Sequence, residues 1–527
     1  MDIKRSATLR LALVAVCSVL QISAGVSAQG RAAGVRPFIL EEATIAGIHS
    51  AFASHQLTCV DLVSRYLKRI DAYDHKGPNL NSVLTINAGA LKTAAELDKK
   101  YASGPSARAA LHCIPVLLKD NYSTVDMPTT AGAKTLANEV PVAEATIVKR
   151  LREAGVVIIG KSNLTELALA GTTVSSLGGQ TRNPYDLTRT PGGSSGGTGA
   201  AIASNLAAGG TGSDTGNSVR SPASANSVVG IRPTRGLVSR YGIVPVSLTQ
   251  DEAGPITRTV EDAARMLDVM AGYDPSDPIT AFGIQKVAKT YTAFLDPNGL
   301  KGRRIGLLTD FLGRESIHSE VNRVVEEDVL AFERLGATIV RINIPQLDTL
   351  SDVSVIEFEF KIVFNQYLAR FMPNASVRTL DEFMGRGEFH PTSKTVLESS
   401  RSVVDGMKDR EYERKLQKRV ELRQAVMKVM ADYKLDAILY PHQQRLVAAI
   451  GEPQLERNGV LSNGTGFPAI TFPGGFSKPS ATAPLGIPIG IELLGPDWSE
   501  PELIRMAYAF EQNTRLRKPP ASTPSIR

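Results

Sequence analysis

Apolar residues in the first third of the chain recur at two different spacings. Where they recur every three or four residues they predict amphipathic helices, and where they form short runs bounded by polar residues they predict buried strands. Thr58 and Asp61 are placed like a capping box at the start of the second helix, and the first buried strand ends at Lys119. The predicted elements are helices over 45–52, 60–70 and 144–154 and strands over 111–118 and 156–159.

The alternation of strands and helices returns in the second half of the chain and is typical of an α/β protein. From about 350 to 433 the chain is largely helical and highly charged, which favours a solvated helical surface. Strand patterns after this segment indicate that the C-terminal part returns to the sheet. We expect one large α/β domain with a central mixed β-sheet flanked by helices. The elements of this half are strands over 304–308, 337–344, 436–440, 469–472 and 487–494 and helices over 320–335 and 500–513.

The first 28 residues have the pattern of a secretory signal peptide. Basic residues precede an apolar run over 11–20, and the small residues Val26 and Ala28 stand two apart before Gln29. A first core helix is the alternative interpretation of this run. We expect residues 1–28 to be removed on export and 29–527 to form a secreted or periplasmic protein.

Charge and cysteine content exclude several other classes. The formal net charge of +6 falls to +4 without the three basic residues and Asp2 of the signal, which is too weak to indicate nucleic-acid binding. No later apolar run approaches about 18 residues, so no stable membrane insertion is expected after signal removal. Cys59 and Cys113 allow one disulfide, but two separate buried thiols are the preferred interpretation. Metal-ligand spacings are absent from the sequence, so no metal or other cofactor is expected.

Residues 190–222 consist almost wholly of Gly, Ser, Ala and Thr, and they indicate a site rather than a linker. Small side chains let backbone N–H groups approach a ligand closely. Ser194 and Ser218 lie in this segment, and Lys119 follows a buried strand upstream. A serine hydroxyl needs a base to act as a nucleophile, and none of the seven histidines lies in the segment. A lysine whose pKa is lowered by burial can replace histidine.

These residues belong to a longer, ordered set of motifs that resembles the amidase signature family. The resemblance covers about 40–514, with a Gly/Ser-rich core over about 110–275. Within the family, the segments 77–91, 178–186 and 247–264 are most similar to peptide amidases and related secreted amidases. The motifs are KDN at 119–121, GGSSGGTGAAIA at 192–203, GSDTGNSVRSPAS at 212–224, GIRPTRGLVSRYGIVP at 230–245, GFPAITFPGGF at 466–476 and PIGIELLGPDWSEPEL at 488–503.

The resemblance implies a Ser/Ser/Lys triad and hydrolysis of carboxylic amides. Ser218 matches the nucleophile, Ser194 matches the serine preceded by a cis peptide bond, and Lys119 matches the base. The implied reaction passes through an acyl-enzyme and needs no cofactor. Its expected substrate is a small-molecule or peptide amide with a small leaving amine, such as a peptide C-terminal amide.

The resemblance also implies a binding site for the oxyanion that forms during the reaction. Backbone N–H groups of Thr215, Gly216, Asn217 and Ser218 match the family's oxyanion loop. Asp214 and Arg220 match family positions that support this loop, and Ser195 matches a supporting hydroxyl group.

This sequence departs from the family pattern at several positions. Asn217 stands where glycine is usual, Asn226 and Ser227 replace a frequent Cys-Gly pair, and Glu492 stands where Gln is frequent. Asn tolerates a positive φ better than most residues do. Its Cβ is nevertheless expected to narrow the acyl pocket or to strain the oxyanion donors.

Other interpretations of the Gly/Ser segment remain open. Residues 192–196 satisfy GxSxG, which an esterase of the α/β-hydrolase type would combine with a histidine, but the preceding segment 182–191 is polar and holds two prolines. A phosphate loop would need a lysine after the glycines, and none follows. The family also includes subunits of a tRNA-dependent transamidase, against which the export signal argues. A catalytically impaired, amide-binding member is the non-enzyme alternative. The histidine candidates for the esterase are His318, His390 and His442.

Overall fold

Eleven strands form one mixed sheet in the computed structural model, which describes residues 37–102 and 109–526. The predicted signal peptide over 1–28 lies outside the described residues. Two further short strands, β4 (Val174–Ser175) and β5 (Gly179–Gln180), pair with each other. The strands of the large sheet are β1 (Val83–Ile86), β2 (Pro115–Lys119), β3 (Val157–Ser162), β6 (Gly209–Asp214), β7 (Val229–Arg232), β8 (Glu252–Thr257), β9 (Arg304–Leu308), β10 (Thr338–Ile342), β11 (Ala437–Pro441), β12 (Ala469–Phe476) and β13 (Pro488–Leu494).

The strand order is β1-β3-β2-β6-β8-β7-β12-β13-β11-β9-β10. Strand β2 runs parallel to both of its neighbours, β3 and β6, and β9 runs parallel to β10 and β11. The central pairs from β6 to β13 are antiparallel. The C-terminal strands β12 and β13 occupy the middle of the sheet, so the predicted fold class and the predicted return of the chain are confirmed.

Helices flank this sheet and begin where their sequence signals lie. The Thr58 side chain accepts a hydrogen bond from the Asp61 amide at 3.1 Å, and Gly155 adopts a φ of +85° just after the fourth helix. The helices are α1 (Ile45–Ala53), α2 (Cys59–Tyr73), α3 (Ala90–Ala102), α4 (Thr146–Glu153), α5 (Gly196–Ala203), α6 (Arg220–Ala225), α7 (Val260–Met270), α8 (Ser319–Arg334), α9 (Leu347–Leu350), α10 (Ile356–Phe371), α11 (Leu380–Gly385), α12 (Lys394–Ser402), α13 (Arg410–Tyr433), α14 (Val460–Thr465) and α15 (Glu500–Thr514).

The strand predicted over 111–118 begins later than expected, at Pro115. The apolar residues before it form a buried turn, in which the Ile114 amide donates to the Leu111 carbonyl and Cys113 has a φ of +59°. An apolar run that is buried in a turn cannot be distinguished from a strand by hydropathy alone.

The preferred interpretation of two separate thiols is wrong. Cys59 and Cys113 form a disulfide, with their Cα atoms 5.6 Å apart. Cys59 begins α2 and Cys113 precedes β2, so folding brings together two cysteines that lie 54 residues apart in the sequence.

Four strands of the sheet, β1, β6, β7 and β8, were not predicted from the sequence. Strand β6 reads GGTGSD, and glycine is depleted in strands. The glycines allow close packing: a Cβ on Gly210 would overlap the Thr198 side chain of α5, and a Cβ on Gly254 would overlap the Ile231 carbonyl oxygen. Small residues therefore let α5 lie directly on the strands that carry the candidate site.

The charged segment over 350–433 is helical as predicted, but one of its helices is largely buried. Phe360, Phe364 and Tyr367 of α10 belong to a hydrophobic cluster with Val244 and Leu167. The interpretation as a solvated surface is therefore wrong for α10, whereas most charged residues of α13 are exposed. Within the described residues, no helix combines the length and the apolar character needed to cross a membrane.

Candidate active site

The parallel strands β2 and β6 place the candidate residues at one edge of the sheet. Lys119 and Ser213 lie at the carboxyl ends of these strands, and the Lys119 amide donates to Thr211 Oγ1 at 3.1 Å. Ser194 lies in the loop before α5, and Ser218 lies in the loop between β6 and α6. In α/β sheets this carboxyl edge is where ligands usually bind.

Lys119 and Ser194 are in direct contact and both are fully buried. Lys119 Nζ lies 2.7 Å from Ser194 Oγ, 2.9 Å from Ser213 Oγ and 3.2 Å from the Ser213 carbonyl oxygen. In the described part of the chain, Lys119 forms no ion pair. Burial lowers the pKa of Lys119 to about 7, against the opposing influence of Asp214 and Asp251. The Lys119 amine is therefore neutral in a large fraction of the molecules near pH 7.

Ser218 is linked to the Ser194 loop by a backbone hydrogen bond. The Ser195 amide donates to the Ser218 carbonyl oxygen at 3.2 Å, and the peptide bond between Gly193 and Ser194 is cis. Across the described ranges, the Ser218 hydroxyl forms no hydrogen bond with Ser194. Ser218 is 7% exposed, whereas Ser194 is 0% exposed. Of the three candidate residues, Ser218 is therefore the one that a substrate can reach.

The loop over 215–218 is held by its carbonyl groups. The Thr215 carbonyl accepts from Gln250 Nε2 at 3.2 Å, and the Gly216 carbonyl accepts from Asn463 Nδ2 at 3.1 Å and from Arg220 Nη2 at 2.6 Å. Among the residues that the structure describes, the amides over 216–218 donate no hydrogen bond. These N–H groups are available to an oxyanion.

Asn217 fits into the loop without a positive φ. Its side chain lies against Gly459, since a Cβ on Gly459 would lie 2.6 Å from Asn217 Cγ. Asn217 therefore does not need the left-handed backbone that glycine would allow, and glycine at position 459 leaves room for its carboxamide.

Asp214 and two arginines fix the end of β6. Asp214 Oδ2 accepts from the Val219 amide at 2.9 Å and from Arg220 Nε at 3.1 Å, and Arg232 Nη1 lies 3.2 Å from Asp214 Oδ1. Burial raises the pKa of Asp214, but the Arg220 and Arg232 guanidinium groups outweigh burial and hold the pKa below its ordinary value. Ser195 Oγ donates to the Ser213 carbonyl at 3.4 Å, beside the same strand end.

A second buried carboxylate continues this network. Glu492 of β13 accepts from Arg220 Nη1 at 2.8 Å and from the Tyr440 hydroxyl at 2.7 Å, and its other oxygen lies 2.6 Å from His442 Nδ1. Burial opposes ionisation, but Arg220 and His442 lower the pKa of Glu492 to about 2. Sequence reasoning singled out Glu492 only as a departure from the family pattern. Its pairing requires β11 and β13 to lie side by side, which motif spacing does not show.

The esterase alternative finds no support in this geometry. The hydroxyl of Ser194 contacts a lysine, and His442 is fully buried and bonded to Glu492. Segment 182–191, which precedes the GxSxG residues, forms no strand, although a nucleophile elbow follows one. Within the described residues, no group of His, Cys, Asp or Glu side chains is arranged to hold a metal ion.

A pocket of about 180 Å³ opens beside Ser213 and Thr215. Its walls come from segment 240–248 and from α10, and they are mostly apolar. Five charged residues also line the pocket: Arg240, Asp251, Glu252, Asp277 and Arg370. Because Thr215 belongs to the oxyanion loop, this pocket borders that loop.

Comparisons with known proteins agree with this geometry. The family model for amidases matches residues 61–504. Similar curated proteins include a probable amidase of Arabidopsis thaliana, 36% identical over 96% of each chain, and a subunit of the glutamyl-tRNA(Gln) amidotransferase of Thermoanaerobacter pseudethanolicus, 34% identical over 90% of this chain and 97% of that one. The solved native peptide amidase of Stenotrophomonas maltophilia is 35% identical with a TM-score of 0.83, covering 93% of this chain and 100% of that one. The chain therefore belongs to the amidase signature family.

Proposed function

We propose that the protein hydrolyses amides with a small leaving amine, in particular peptide C-terminal amides, with Lys119, Ser194 and Ser218 as the reacting residues. The observation that carries the proposal is the 2.7 Å contact between Lys119 Nζ and Ser194 Oγ. The contact is fully buried, and within the described ranges no carboxylate pairs with the amine, so the amine can be neutral and accept a proton.

The reaction begins with two linked proton transfers. Neutral Lys119 accepts a proton from Ser194 while Ser194 accepts one from Ser218, once the Ser218 hydroxyl has turned toward Ser194. Hydrogen bonds of this kind often form only in the substrate complex. The Ser218 oxygen then attacks the amide carbonyl carbon, and the backbone N–H groups over 216–218 bind the oxyanion.

Collapse of the tetrahedral intermediate breaks the carbon–nitrogen bond. The proton held by Lys119 returns through Ser194 to the nitrogen, which leaves as ammonia or a small amine, and Ser218 keeps the acyl group as an ester. A water molecule then loses a proton along the same path and attacks this ester. The products are the free acid and the original Ser218 hydroxyl.

Two observations support peptide amides as the substrate. The solved structures that resemble this chain include a peptide amidase in complex with the competitive inhibitor chymostatin, with a TM-score of 0.81 and 35% identity. The apolar pocket beside Thr215 offers space for the side chain of a peptide next to the oxyanion loop.

Measurement of ammonia release tests this substrate class. A panel of peptide amides is compared with fatty amides and aryl amides at equal concentration, and we expect turnover to be fastest with peptide amides. Failure to release ammonia from any peptide amide would overturn the substrate proposal.

Labelling with a fluorophosphonate tests the nucleophile. We expect one adduct on Ser218, mapped by mass spectrometry, and no adduct in the Ser218→Ala variant. Ser224→Ala, at a buried serine of α6 outside the loop, is the matched control and should label like the unchanged protein. Binding of a peptide amide without labelling would indicate a catalytically impaired, amide-binding protein instead.

We further propose that residues 1–28 direct export and that the protein works in the periplasm or outside the cell. The Cys59–Cys113 disulfide supports an oxidising compartment. N-terminal sequencing of protein recovered from the periplasm or the medium of a bacterial host should begin at Gln29. Retention in the cytoplasm with an intact Met1 would contradict export.

A further inference from the structure

The guanidinium group of Arg457 lies beside two loops of the active site, the loop that holds Ser194 and the loop over 215–218. Arg457 is half-buried, and among the described residues its side chain forms no hydrogen bond and no ion pair. The carboxylate of the preceding residue, Glu456, is engaged by Arg445 at 3.1 Å. A partly buried arginine normally pairs with an anion or with carbonyl oxygens, because desolvating its charge is costly.

One side of this guanidinium borders the Ser194 loop. A Cβ on Gly171 would lie 2.7 Å from Arg457 Cζ, so the guanidinium lies directly on the Gly171 backbone. Gly171 in turn packs on Gly193, since a Cβ on Gly193 would lie 2.8 Å from the Gly171 carbonyl carbon. Only the Gly171 backbone therefore separates Arg457 from the residue that precedes Ser194.

The other side is connected to the oxyanion loop. Gly459 follows Arg457 by two residues and packs against Asn217, and its carbonyl accepts from Arg220 Nη1 at 3.4 Å. Arg457 thus stands where the Ser194 loop and the 215–218 loop meet.

The two buried carboxylates of the Arg220 network are already paired with arginines. Asp214 is paired with Arg220 and Arg232, and Glu492 is paired with Arg220. Burial lowers the pKa of Arg457, yet an arginine side chain stays charged at any physiological pH. A positive charge at this place is therefore available to a bound molecule.

We propose that Arg457 binds a carboxylate on the acyl part of the substrate, so that the enzyme favours peptide amides with an acidic side chain next to the amide that is cleaved. This inference rests on the proposed function. The carboxylate must belong to the acyl part because the leaving group of a primary amide contains only nitrogen and hydrogen. A guanidinium matches a carboxylate with two parallel hydrogen bonds, which gives both affinity and orientation.

The test compares N-acetyl-Ala-Glu-NH2 with N-acetyl-Ala-Met-NH2, whose side chains are similar in length. We expect the unchanged protein to give the higher kcat/KM with the glutamate amide. Arg457→Gln should lower the ratio of the two kcat/KM values by about 10- to 100-fold, as expected for a charge-assisted hydrogen bond. Arg457→Lys should keep part of the preference. Arg445→Gln, which removes a nearby arginine that already has a partner, should leave the ratio unchanged.

A binding measurement separates this inference from the proposed function. Calorimetry on Ser218→Ala, with and without Arg457→Gln, compares the Kd values of the same two peptide amides without turnover. A preference for the glutamate amide that disappears with Arg457→Gln supports the inference even if the unchanged protein hydrolyses neither peptide, in which case only the proposed function fails. Equal Kd values, or an equal loss of kcat/KM on both amides in Arg457→Gln, would overturn the inference.

Discussion

Two fully buried lysines lie on neighbouring strands and differ in what surrounds their amines. Lys119 ends β2, and Lys161 of β3 pairs in register with Leu118. Because side chains alternate between the faces of a sheet, the two lysines leave opposite faces. Among the residues that the structure describes, Lys119 Nζ has polar contacts only with neutral oxygen atoms, those of Ser194 and Ser213.

Lys161, in contrast, is built into a charged and hydrogen-bonded cluster. Its Nζ lies 3.7 Å from the Asp120 carboxylate and donates to the Tyr122 carbonyl at 2.8 Å and to Thr129 Oγ1 at 2.9 Å. Burial lowers the pKa of Lys161 to about 8, with Asp120 opposing the shift. Burial alone therefore does not distinguish a base from a structural lysine. The counter-charge distinguishes them. An amine paired with a carboxylate keeps its proton and fixes the position of the groups around it.

The largest expected effect is the loss of activity in Lys119→Met. Without the base, kcat/KM should fall by about 10²- to 10⁴-fold, the usual contribution of general acid–base catalysis. Lys161→Met should reduce activity only in proportion to the folded fraction. Ammonia release from a peptide amide measures both, after circular dichroism has shown which fraction is folded. A Lys119→Met variant that keeps its rate within threefold would show that another group is the base.

The second effect is on stability and falls on the other lysine. Lys161→Met leaves the buried Asp120 carboxylate without its counter-charge, which should lower the free energy of unfolding by about 3–5 kcal/mol. Adding Asp120→Asn should recover part of the loss, because the double variant buries no unpaired charge. Urea unfolding of the variants measures these differences. Equal stability of Lys161→Met and the unchanged protein would contradict the comparison.

Hydropathy alone does not separate these two lysines. Both follow an apolar run, PVLLK for Lys119 and VIIGK for Lys161, so the same pattern precedes both. Lys119 is singled out because the Gly/Ser segment holds no histidine to act as the base, and the KDN motif then resembles that of a known family. Which face each lysine occupies, and whether a carboxylate meets it, depends on strand register between segments far apart in the sequence.

In the rest of the molecule, too, features set by local sequence were predicted, and features that depend on residues far apart in the sequence were not. The apolar pattern predicted α8, β9 and the C-terminal strands to within a few residues, because α8 buries one continuous side and the strands are short apolar runs buried on both faces. The glycine-rich strand β6 and the disulfide of Cys59 with Cys113 escaped prediction, since each depends on what packs across from it. Glu492 is similar: its partner Arg220 lies 272 residues away in the sequence.

The third effect is the dependence of activity on pH. Lys119 accepts a proton only when neutral, so kcat/KM should fall about tenfold per pH unit below about 7, the pKa that burial gives this residue. The residual activity of Lys119→Met should lose most of this slope. A pH–rate profile of both proteins checks the expectation, and an unchanged profile in the variant would contradict it.

The lowered pKa of Lys119 also makes the free energy of unfolding depend on pH. The pKa of Lys119 is lowered from 10.5 to about 7, so between these pH values the unfolded chain binds a proton at this residue that the folded protein does not. Stability from this residue therefore rises as pH increases from about 7 toward 10.5. Lys119→Met should remove this increment, which urea unfolding at pH 7 and pH 9 measures.

The smallest effect comes from Ser213, the neutral neighbour of Lys119. Ser213 Oγ lies 2.9 Å from Lys119 Nζ and accepts from Asn121 Nδ2 at 2.9 Å. Ser213→Ala removes an acceptor that favours the charged amine, so the acid limb of the pH profile should move down by about half a unit. Ser213→Asp supplies the counter-charge that Lys161 has, and the limb should move up by about 1–3 units. Opposite shifts from one position would show that charge decides the role of a buried lysine, whereas shifts in the same direction would show that packing does.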